Sequence, residues 1–279
     1  MLYLMFADLH IHTTYSDGIY SPKEIINKAI NAKLHKIAIT DHDNYFGSLE
    51  AQKILDNIDS NLELIPGVEF SCHDSGSEFH IIGLFIDFDN SNLSGLISKM
   101  QDERMRSIKK IISHLQSKNM EIDLNKVTSR AKGSIGRPHI ALELVEKGFA
   151  RNVNDAFDKY LSNNILGKIK EPRMSTLEAI EVIRQSNGLP IWAHPKLSSD
   201  LSSNIKKLKN QGLIGVEIQS PRYGLNRQSE LINICKKYKL LYSGGSDFHG
   251  VHEGIEISRN NAINEEEYNT LLEAKKDLC

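Results

Sequence analysis

The sequence predicts an α/β fold in which parallel βα units close into a sheet or barrel. Three observations carry that expectation. Seven short apolar runs have the composition and boundaries of strands. Stretches of helical period separate most of them, and such alternation joins parallel strands through helical crossovers. Short clusters of His, Asp and Glu stand at the ends of the runs. In an α/β barrel the strand C-termini open onto one face, where clusters of this kind would meet.

The first run, Tyr3 to Leu9, begins in an apolar start without a basic flank and ends in a motif at Asp8, so it reads as a strand and not as a signal peptide. Ser21-Pro22-Lys23-Glu24 then combines a serine N-cap, proline at the first helical position and a glutamate three residues after the cap. This device opens a helix from Pro22 to about Leu34. Runs at Lys36 to Thr40, Leu62 to Ile65 and Phe79 to Ile86 supply the next three strands. From Phe88 to Met174 the alternation stops: helical patterns cover Leu93 to Lys118, Pro138 to Lys147 and Val153 to Leu161, with Gly148 placed as a C-terminal cap. Residues 91–174 are therefore expected to form a helical insertion subdomain within a barrel of residues 1–90 and 175–279. Ser175 to Glu178 repeats the capping device and opens a helix to about Gln185. Strands at Pro190 to Ala193, Ile214 to Ile218 and Leu240 to Ser243 complete the seven, and Glu265 to Glu267 begins a final exposed helix.

A chain of 279 residues accommodates one barrel of about 200 to 250 residues plus an insertion. Its 40% hydrophobic and 25% charged residues exclude wholesale disorder. The net charge of −2 gives no global attraction to nucleic acid or acidic membrane. Lys168, Lys170 and Arg173 form only a small basic patch, too little for a processive nuclease on long strands. No run of about 18 apolar residues occurs, so no membrane partner is expected. Cys72, Cys235 and Cys279 are widely spaced and odd in number, which fits a reducing compartment and a cytoplasmic location.

The chemistry lies in the clusters. His10 and His12, two apart on a strand, face the same side, as two ligands of one ion must. Asp17 and the pair Asp41-His42 follow strand motifs on the presumed open face, although each alone fits a hydrogen-bonded turn. Glu69, after Pro66-Gly67, is a carboxylate in an apolar strand end, costly to bury unless cations flank it. His80 lies inside an apolar run, His194 ends one ahead of Pro195, and Asp247 and His249 sit two apart behind Gly244 and Gly245. Asp8, Asp41 and Asp43 are assigned to orienting a histidine or capping a turn. A lone histidine is as often a satisfied core or surface group. Repetition at strand after strand instead points to imidazoles and carboxylates around hard to borderline divalent ions, which together can clamp a phosphoryl group. The chain reads as a metal-dependent hydrolase.

Taken in order, His10-Ile11-His12, Ser16-Asp17-Gly18, Thr40-Asp41-His42, Pro66-Gly67-Val68-Glu69, His80, Ala193-His194-Pro195 and Gly245-Ser246-Asp247-Phe248-His249 resemble the motifs of the PHP (polymerase and histidinol phosphatase) family of metallo-phosphoesterases. The resemblance implies a distorted seven-stranded, TIM-like (β/α) barrel with two to three divalent ions, manganese, iron, zinc or magnesium, at the strand C-terminal ends. By position, it implies that His10, His12, Glu69 and Asp247 hold one ion and that Glu69 is shared with a second held by His80 and His194. Asp17, His42 and His249 hold a third, and Glu69, Asp247 and His194 are the catalytic residues.

An insertion after the fourth strand and the segment Gly136-Arg137-Pro138-His139 resemble the family's nucleotide branch, which includes 3′,5′-bisphosphonucleoside phosphatases and 5′ to 3′ exonucleases of short RNA or DNA. Arg137 then stands as a phosphate clamp at a helix start, with His139 beside it. One departure is visible. Where the resemblance leads one to expect a histidine after Val216-Glu217-Ile218, this chain has Gln219 to Gly224, which leaves two alternatives: Arg222 or Tyr223 takes over a substrate contact, or the preferred leaving group differs. The expected reaction is hydrolysis of a nucleotide or short 5′-phosphorylated oligonucleotide ester by in-line attack of a metal-bridging hydroxide, without an obligate protein partner. Two rivals stand beside it: a histidinol-phosphate phosphatase, and a non-catalytic metal- or nucleic-acid-binding module, which the complete ligand set disfavours.

Overall fold

In the computed structural model, which describes residues 5–74, 76–167, 174–195, 200–250 and 254–278, eight strands join in one sheet. Tyr3 and Leu4 of the first expected strand, the basic residues Lys168, Lys170 and Arg173, and Cys279 lie outside the described residues. In chain order the strands are β1 (Phe6–Ile11), β2 (Lys36–Ile39), β3 (Glu63–Asp74), β4 (Ser77–Leu84), β5 (Leu189–Trp192), β6 (Gly215–Gln219), β7 (Leu241–Gly244) and the short β8 (Ile263–Asn264). Their spatial order is β7-β6-β5-β4-β3-β2-β1-β8. The sheet curls until β1 meets the chain just beyond β7. There Asp247 N–H donates to His10 O at 2.9 Å and His12 N–H to Phe248 O at 3.0 Å. A nearly closed barrel results, pairing backbone groups that an open edge would leave bare. Gly245 permits the approach, since a Cβ there would lie 2.5 Å from the Cβ and backbone nitrogen of His10.

Three strands depart from the sequence reading, one of them, β8, an addition to the seven expected. The third was expected to stop at Ile65, yet β3 runs on to Asp74 and folds back into β4. The Pro66-Gly67 pair looks like a terminator, but Val68, Phe70 and Cys72 beyond it are fully buried. Gly67 marks instead a place where β2 crowds the backbone, with Thr40 Cγ2 only 2.8 Å from the position of a Cβ. The second departure is direction. Neighbours pair in parallel at β1-β2, β2-β3, β5-β6 and β6-β7, but β4 runs antiparallel to both β3 and β5, and β8 antiparallel to β1.

Helices α1 (Pro22–Asn31) and α2 (Phe46–Leu55) follow β1 and β2. Between β4 and β5 lie α3 (Ser91–Gln116), α4 (Leu124–Thr128), α5 (Arg137–Glu146), α6 (Val153–Ala156) with a π-helical turn at Phe157–Leu161, α7 (Asn163–Leu166) and α8 (Thr176–Gln185). The chain ends with α9 (Leu201–Gln211), α10 (Leu225–Tyr238) and α11 (Glu265–Lys276). Both expected capping boxes form, Ser21 with Glu24 and Ser175 with Glu178, and Gly148 takes the left-handed conformation of a cap at φ +76°. Among the described residues no helix is long and apolar enough to cross a membrane.

Apolar packing fixes the layers. Ile11, Ile37 and Ile39 of β1 and β2 and their margins pack on Ile25, Ile26 and Ala29 of α1. Val68, Phe70 and Ile81 of the β3-β4 hairpin pack on Leu93 and Ile97 of α3 and Ile180 and Ile183 of α8. The stretch from Ile108 to Leu166 buries a cluster of its own, including Ile112, Leu115, Ile140, Leu144 and Leu161. Helix α3 thus belongs to the barrel core at its start and to the inserted helices at its end.

Candidate metal centre

All nine side chains singled out as ligands come together at one end of the barrel. His10 Nε2 and His12 Nε2 stand 3.1 Å apart. Glu69 Oε2 lies 3.4 and 3.2 Å from those two nitrogens, and Asp247 Oδ1 lies 3.3 and 3.4 Å from them. Ligands at about 2.0 to 2.2 Å from a tetrahedral ion are separated by roughly 3.3 to 3.6 Å, close to this spacing.

Hydrogen bonds on the far side of each ring decide what the near side offers. His10 Nδ1 is 3.0 Å from the carboxylate oxygen Glu217 Oε1, and in the neutral ring that pairing puts the proton on Nδ1 and turns the Nε2 lone pair inward. Ser16 Oγ donates to Asp41 Oδ1 at 2.7 Å and accepts from His12 Nδ1 at 3.3 Å, which bares His12 Nε2 in the same way. Four acceptors then face one another, and the buried Glu69 Oε2 makes no well-aligned hydrogen bond, its nearest other partner being His42 Nδ1 at 3.0 Å. A cation satisfies such a set; an empty apolar core would not.

The other oxygen of Glu69, Oε1, is 3.0 Å from His80 Nδ1 and 3.1 Å from His194 Nε2. Asp17 Oδ1 lies 3.3 Å from His249 Nε2, and Asp17 Oδ2 lies 3.9 Å from His42 Nε2. His42 also turns Nδ1 towards Glu69 Oε2 at 3.0 Å, so it touches the Glu69 groups as well as the Asp17 group. Four overlapping sets could hold an ion: His12, Asp17, His42 and His249; His10, His12 and Asp247; His10, Glu69 and His194; and His42, Glu69 and His80.

Electrostatics within the chain agree. Burial opposes ionisation of Glu69, but His42, His10 and His80 hold its carboxyl well below the usual range. The same contest, won by His249 and His42, lowers Asp17, and His10 and His249 lower Asp247. Burial disfavours the charged form of His10, yet Glu217, Asp247 and Glu69 together raise it well above an ordinary histidine; Asp17 and Asp247 likewise overcome burial to raise His249 to about 10. His80, dominated by burial, falls to about 4. The acids thus demand positive charge, and bound cations supply it in place of protons.

The neighbouring acids act as expected of them. Asp41 accepts from Thr13 N–H and Thr13 Oγ, each at 2.7 Å, and so shapes the loop after β1. Asp8 accepts from Ser246 N–H at 2.8 Å, and Asp43 from Ser71 N–H at 2.9 Å. Asp43, His194 and Asp247 all adopt positive φ, +48°, +29° and +51°, a conformation non-glycine residues hold only under constraint.

The three substrate candidates fare differently. Arg222 reaches the centre: its Nε lies 3.1 Å from Asp247 Oδ2, and the side chain is 40% exposed. His139 is buried, bonds at its own helix start to Gly136 N–H at 3.0 Å, and faces Ser16 and Asp17. Arg137 points its donors at the chain itself, to Asn163 Oδ1 at 2.8 Å, Leu161 O at 3.1 Å and Glu78 Oε1 at 3.2 Å. A clamp with open donors is therefore not what Arg137 presents in this conformation.

Sequence reasoning missed two residues. Glu217 not only orients His10 but accepts from His194 N–H at 2.7 Å. Its signal was the one used for Glu69, a carboxylate inside an apolar strand, here Gly215-Val216-Glu217-Ile218. Arg104, on α3, donates to Asp43 Oδ2 at 2.6 Å and to Ser71 Oγ at 2.9 Å. Nothing local marks it among the charged residues of that helix.

Known proteins resemble this chain along most of its length. A family model described as the PHP domain matches residues 8–168. The 5′-3′ exoribonuclease Rnm of Escherichia coli is 31% identical over 264 residues, covering 92% of this chain and 89% of that protein. The 3′,5′-nucleoside bisphosphate phosphatase of Chromobacterium violaceum is 26% identical over 253 residues, 88% of each chain. The crystal structure of a candidate metal-dependent phosphoesterase from Bifidobacterium adolescentis matches with a TM-score of 0.84 and 28% identity over 95% of each chain.

Proposed function

The chain belongs to the PHP domain family, and we infer that it is a metal-dependent phosphoesterase that hydrolyses phosphate esters of nucleotides, either 3′,5′-bisphosphonucleosides such as pAp or short 5′-phosphorylated oligonucleotides. The observation that carries the reading is the convergence of His10 Nε2, His12 Nε2, Glu69 Oε2 and Asp247 Oδ1, the two nitrogens 3.1 Å apart and each 3.2 to 3.4 Å from both oxygens. The names of the two enzyme relatives, an exoribonuclease and a nucleoside bisphosphate phosphatase, support the nucleotide class.

His10, His12, Glu69 and Asp247 would hold one divalent ion, and His80 and His194 a second shared through Glu69. Asp17 and His249, with His42, would hold a third; manganese, iron, zinc and magnesium all suit such donors. When bound, these ions supply Lewis acidity at phosphoryl oxygens and acidify water to a pKa of about 7. The chain's own residues do the rest. Glu69, Asp247 and His194 line the reacting face, and Arg222, exposed beside Asp247, grips a phosphate oxygen of the substrate. His139 supports binding from the side of Asp17, and Arg137 anchors the inserted helices to Glu78.

Residues 91–174 act as a subdomain flanking that face, a division supported by the separate apolar cluster that Ile108 to Leu166 bury, while Leu93, Ile97 and Met100 of the same stretch pack on the barrel. Because one chain carries the whole ligand set, no obligate protein partner is needed. The wide spacing of the three cysteines and the free, buried thiol of Cys235 support a cytoplasmic location.

The test is hydrolysis, by manganese-loaded protein, of pAp, a short 5′-phosphorylated RNA and histidinol phosphate, run side by side. Turnover of pAp or the RNA is expected. Turnover of histidinol phosphate alone would move the protein to the pathway phosphatases. Fewer than two ions per chain and no hydrolysis at all would leave a binding module.

A further inference from the structure

We propose that Arg104 is a positioning residue that couples the inserted helices to the metal centre by fixing His42 and the start of the Gly136–His139 segment together. The proposal rests on the reading of the ligand cluster as an ion site. Arg104 occupies the part of α3 where the helix leaves the barrel core, after Met100, and enters the inserted core at Ile108. Its guanidinium meets oxygens from three segments: Asp43 Oδ2 at 2.6 Å, Ser71 Oγ at 2.9 Å and Ile135 O at 3.1 Å. A planar fork with fixed donor directions sets those three oxygens relative to one another, which a lysine could not do.

Two of the three stand directly behind His42. Asp43 follows it in sequence, holds a left-handed backbone at φ +48° and accepts Ser71 N–H through its other oxygen at 2.9 Å. Ser71 Oγ lies 3.4 Å from His42 Nδ1, the nitrogen that is itself 3.0 Å from Glu69 Oε2. The third oxygen, of Ile135, belongs to the residue before Gly136-Arg137-Pro138-His139. That loop is joined to the ligand loop after β1 by Lys132 N–H to Thr14 O and Ser134 N–H to Tyr15 O, both 2.8 Å, and to Asp43 O by Ser134 Oγ at 3.0 Å. One side chain therefore supports a ligand imidazole and the loop that carries His139. Without it, the buried Asp43 carboxylate loses its cation and its grip on Ser71, and the ring of His42 loses its backing.

The experiment compares wild type with R104A, R104K, S71A and R130A. Arg130 pairs with Glu143 and Glu146 wholly within the inserted helices, so R130A controls for loss of an ion pair remote from His42. Elemental analysis of manganese-loaded protein is expected to find about one ion fewer per chain in R104A than in wild type. In metal-stripped protein, amide exchange at Ser71 should quicken by about tenfold in R104A, to a smaller degree in R104K and S71A, and not at all in R130A. An R104A protein with wild-type ion content and unchanged exchange at Ser71 overturns the proposal. If R104A does not fold, wild-type behaviour of both R104K and S71A overturns it equally. A wild-type chain that binds no ions would sink the metal reading alone, because the exchange of the stripped protein still decides whether Arg104 holds this corner.

Discussion

Replacing Glu217 by glutamine changes one atom and tests the logic of the centre. Glu217 is buried, with Oε1 3.0 Å from His10 Nδ1 and Oε2 2.7 Å from the N–H of His194. Both partners donate, so both oxygens must accept. Glutamine offers one acceptor and one NH₂ group. If its oxygen keeps the His194 amide, the NH₂ faces His10 Nδ1 and forces the ring proton onto Nε2, where the ion would bind. If its oxygen keeps His10, two N–H groups collide at His194, and a buried donor left unpaired costs about 1 to 3 kcal/mol. Loss of such an orienting partner weakens metal affinity by roughly 10- to 100-fold, or about 1.4 to 2.8 kcal/mol. The assay is dialysis against graded chelator followed by elemental analysis, with melting measured with and without chelator. E217Q should release its first ion at a chelator concentration well below that needed for wild type, and its melting gain on metal loading should shrink. Equal retention by the two proteins would refute the assignment of the His10 proton to Nδ1 and, with it, the argument that four bare acceptors face one another.

Three further outcomes follow from the same structure. Gly245→Ala pushes a methyl group to 2.5 Å from the backbone of His10; because backbone cannot step aside, the barrel seam should lose about 3 kcal/mol or more, a fall of roughly 6 to 12 °C in Tm by calorimetry, and unchanged melting would contradict the seam. Ser21→Ala removes the cap of α1, a hydroxyl that bonds Glu24 and no ligand side chain; about 1 kcal/mol, or roughly 2 to 4 °C, should be lost with kcat and KM intact, whereas a change in kcat would show α1 to be more than scaffold. Arg222→Ala should lower kcat/KM on nucleotide substrates by about tenfold at unchanged ion content, and wild-type kinetics would remove Arg222 from substrate binding.

Most of the ligand set was legible in the sequence because its members stand at or just beyond strand ends, where a run of His, Asp and Glu has little other reason to exist; Glu69 and His80, inside β3 and β4, were legible as charged or polar groups in otherwise apolar runs. The helices were legible for a different reason: Ser21-Pro22 and Ser175 mark their starts locally, and the structure begins α1 and α8 there. What stayed hidden was relational. The reversal of β4 is marked only by Ser75-Gly76, a turn dipeptide that the sequence reading leaves unused, since Phe79 to Ile86 is equally apolar whichever way it points. The extent of β3 was hidden by Pro66-Gly67, whose turn-like appearance conceals a tight approach by Thr40. Arg137 illustrates the converse: a helix-start arginine reads as an anion site until Glu78, distant in sequence, appears beside it. Arg104 and Glu217 act on atoms 61 and 207 residues away, separations over which no periodicity reports.

The reversed β4 also accounts for the unusual length of α3. Every strand bearing a ligand before it climbs towards the ion end, so a chain leaving β4 emerges at the floor, at Leu84, and has the full height of the barrel still to ascend. From Ser91 to Arg104 is 13 residues, about 20 Å of helix at 1.5 Å per residue, comparable to the rise of a six-residue strand at about 3.3 Å per residue. The first half of α3 is thus an elevator shaft that lifts the chain to the rim, and only its second half is at liberty to build something new there. Shortening it by a turn would deliver the inserted helices below the mouth they frame.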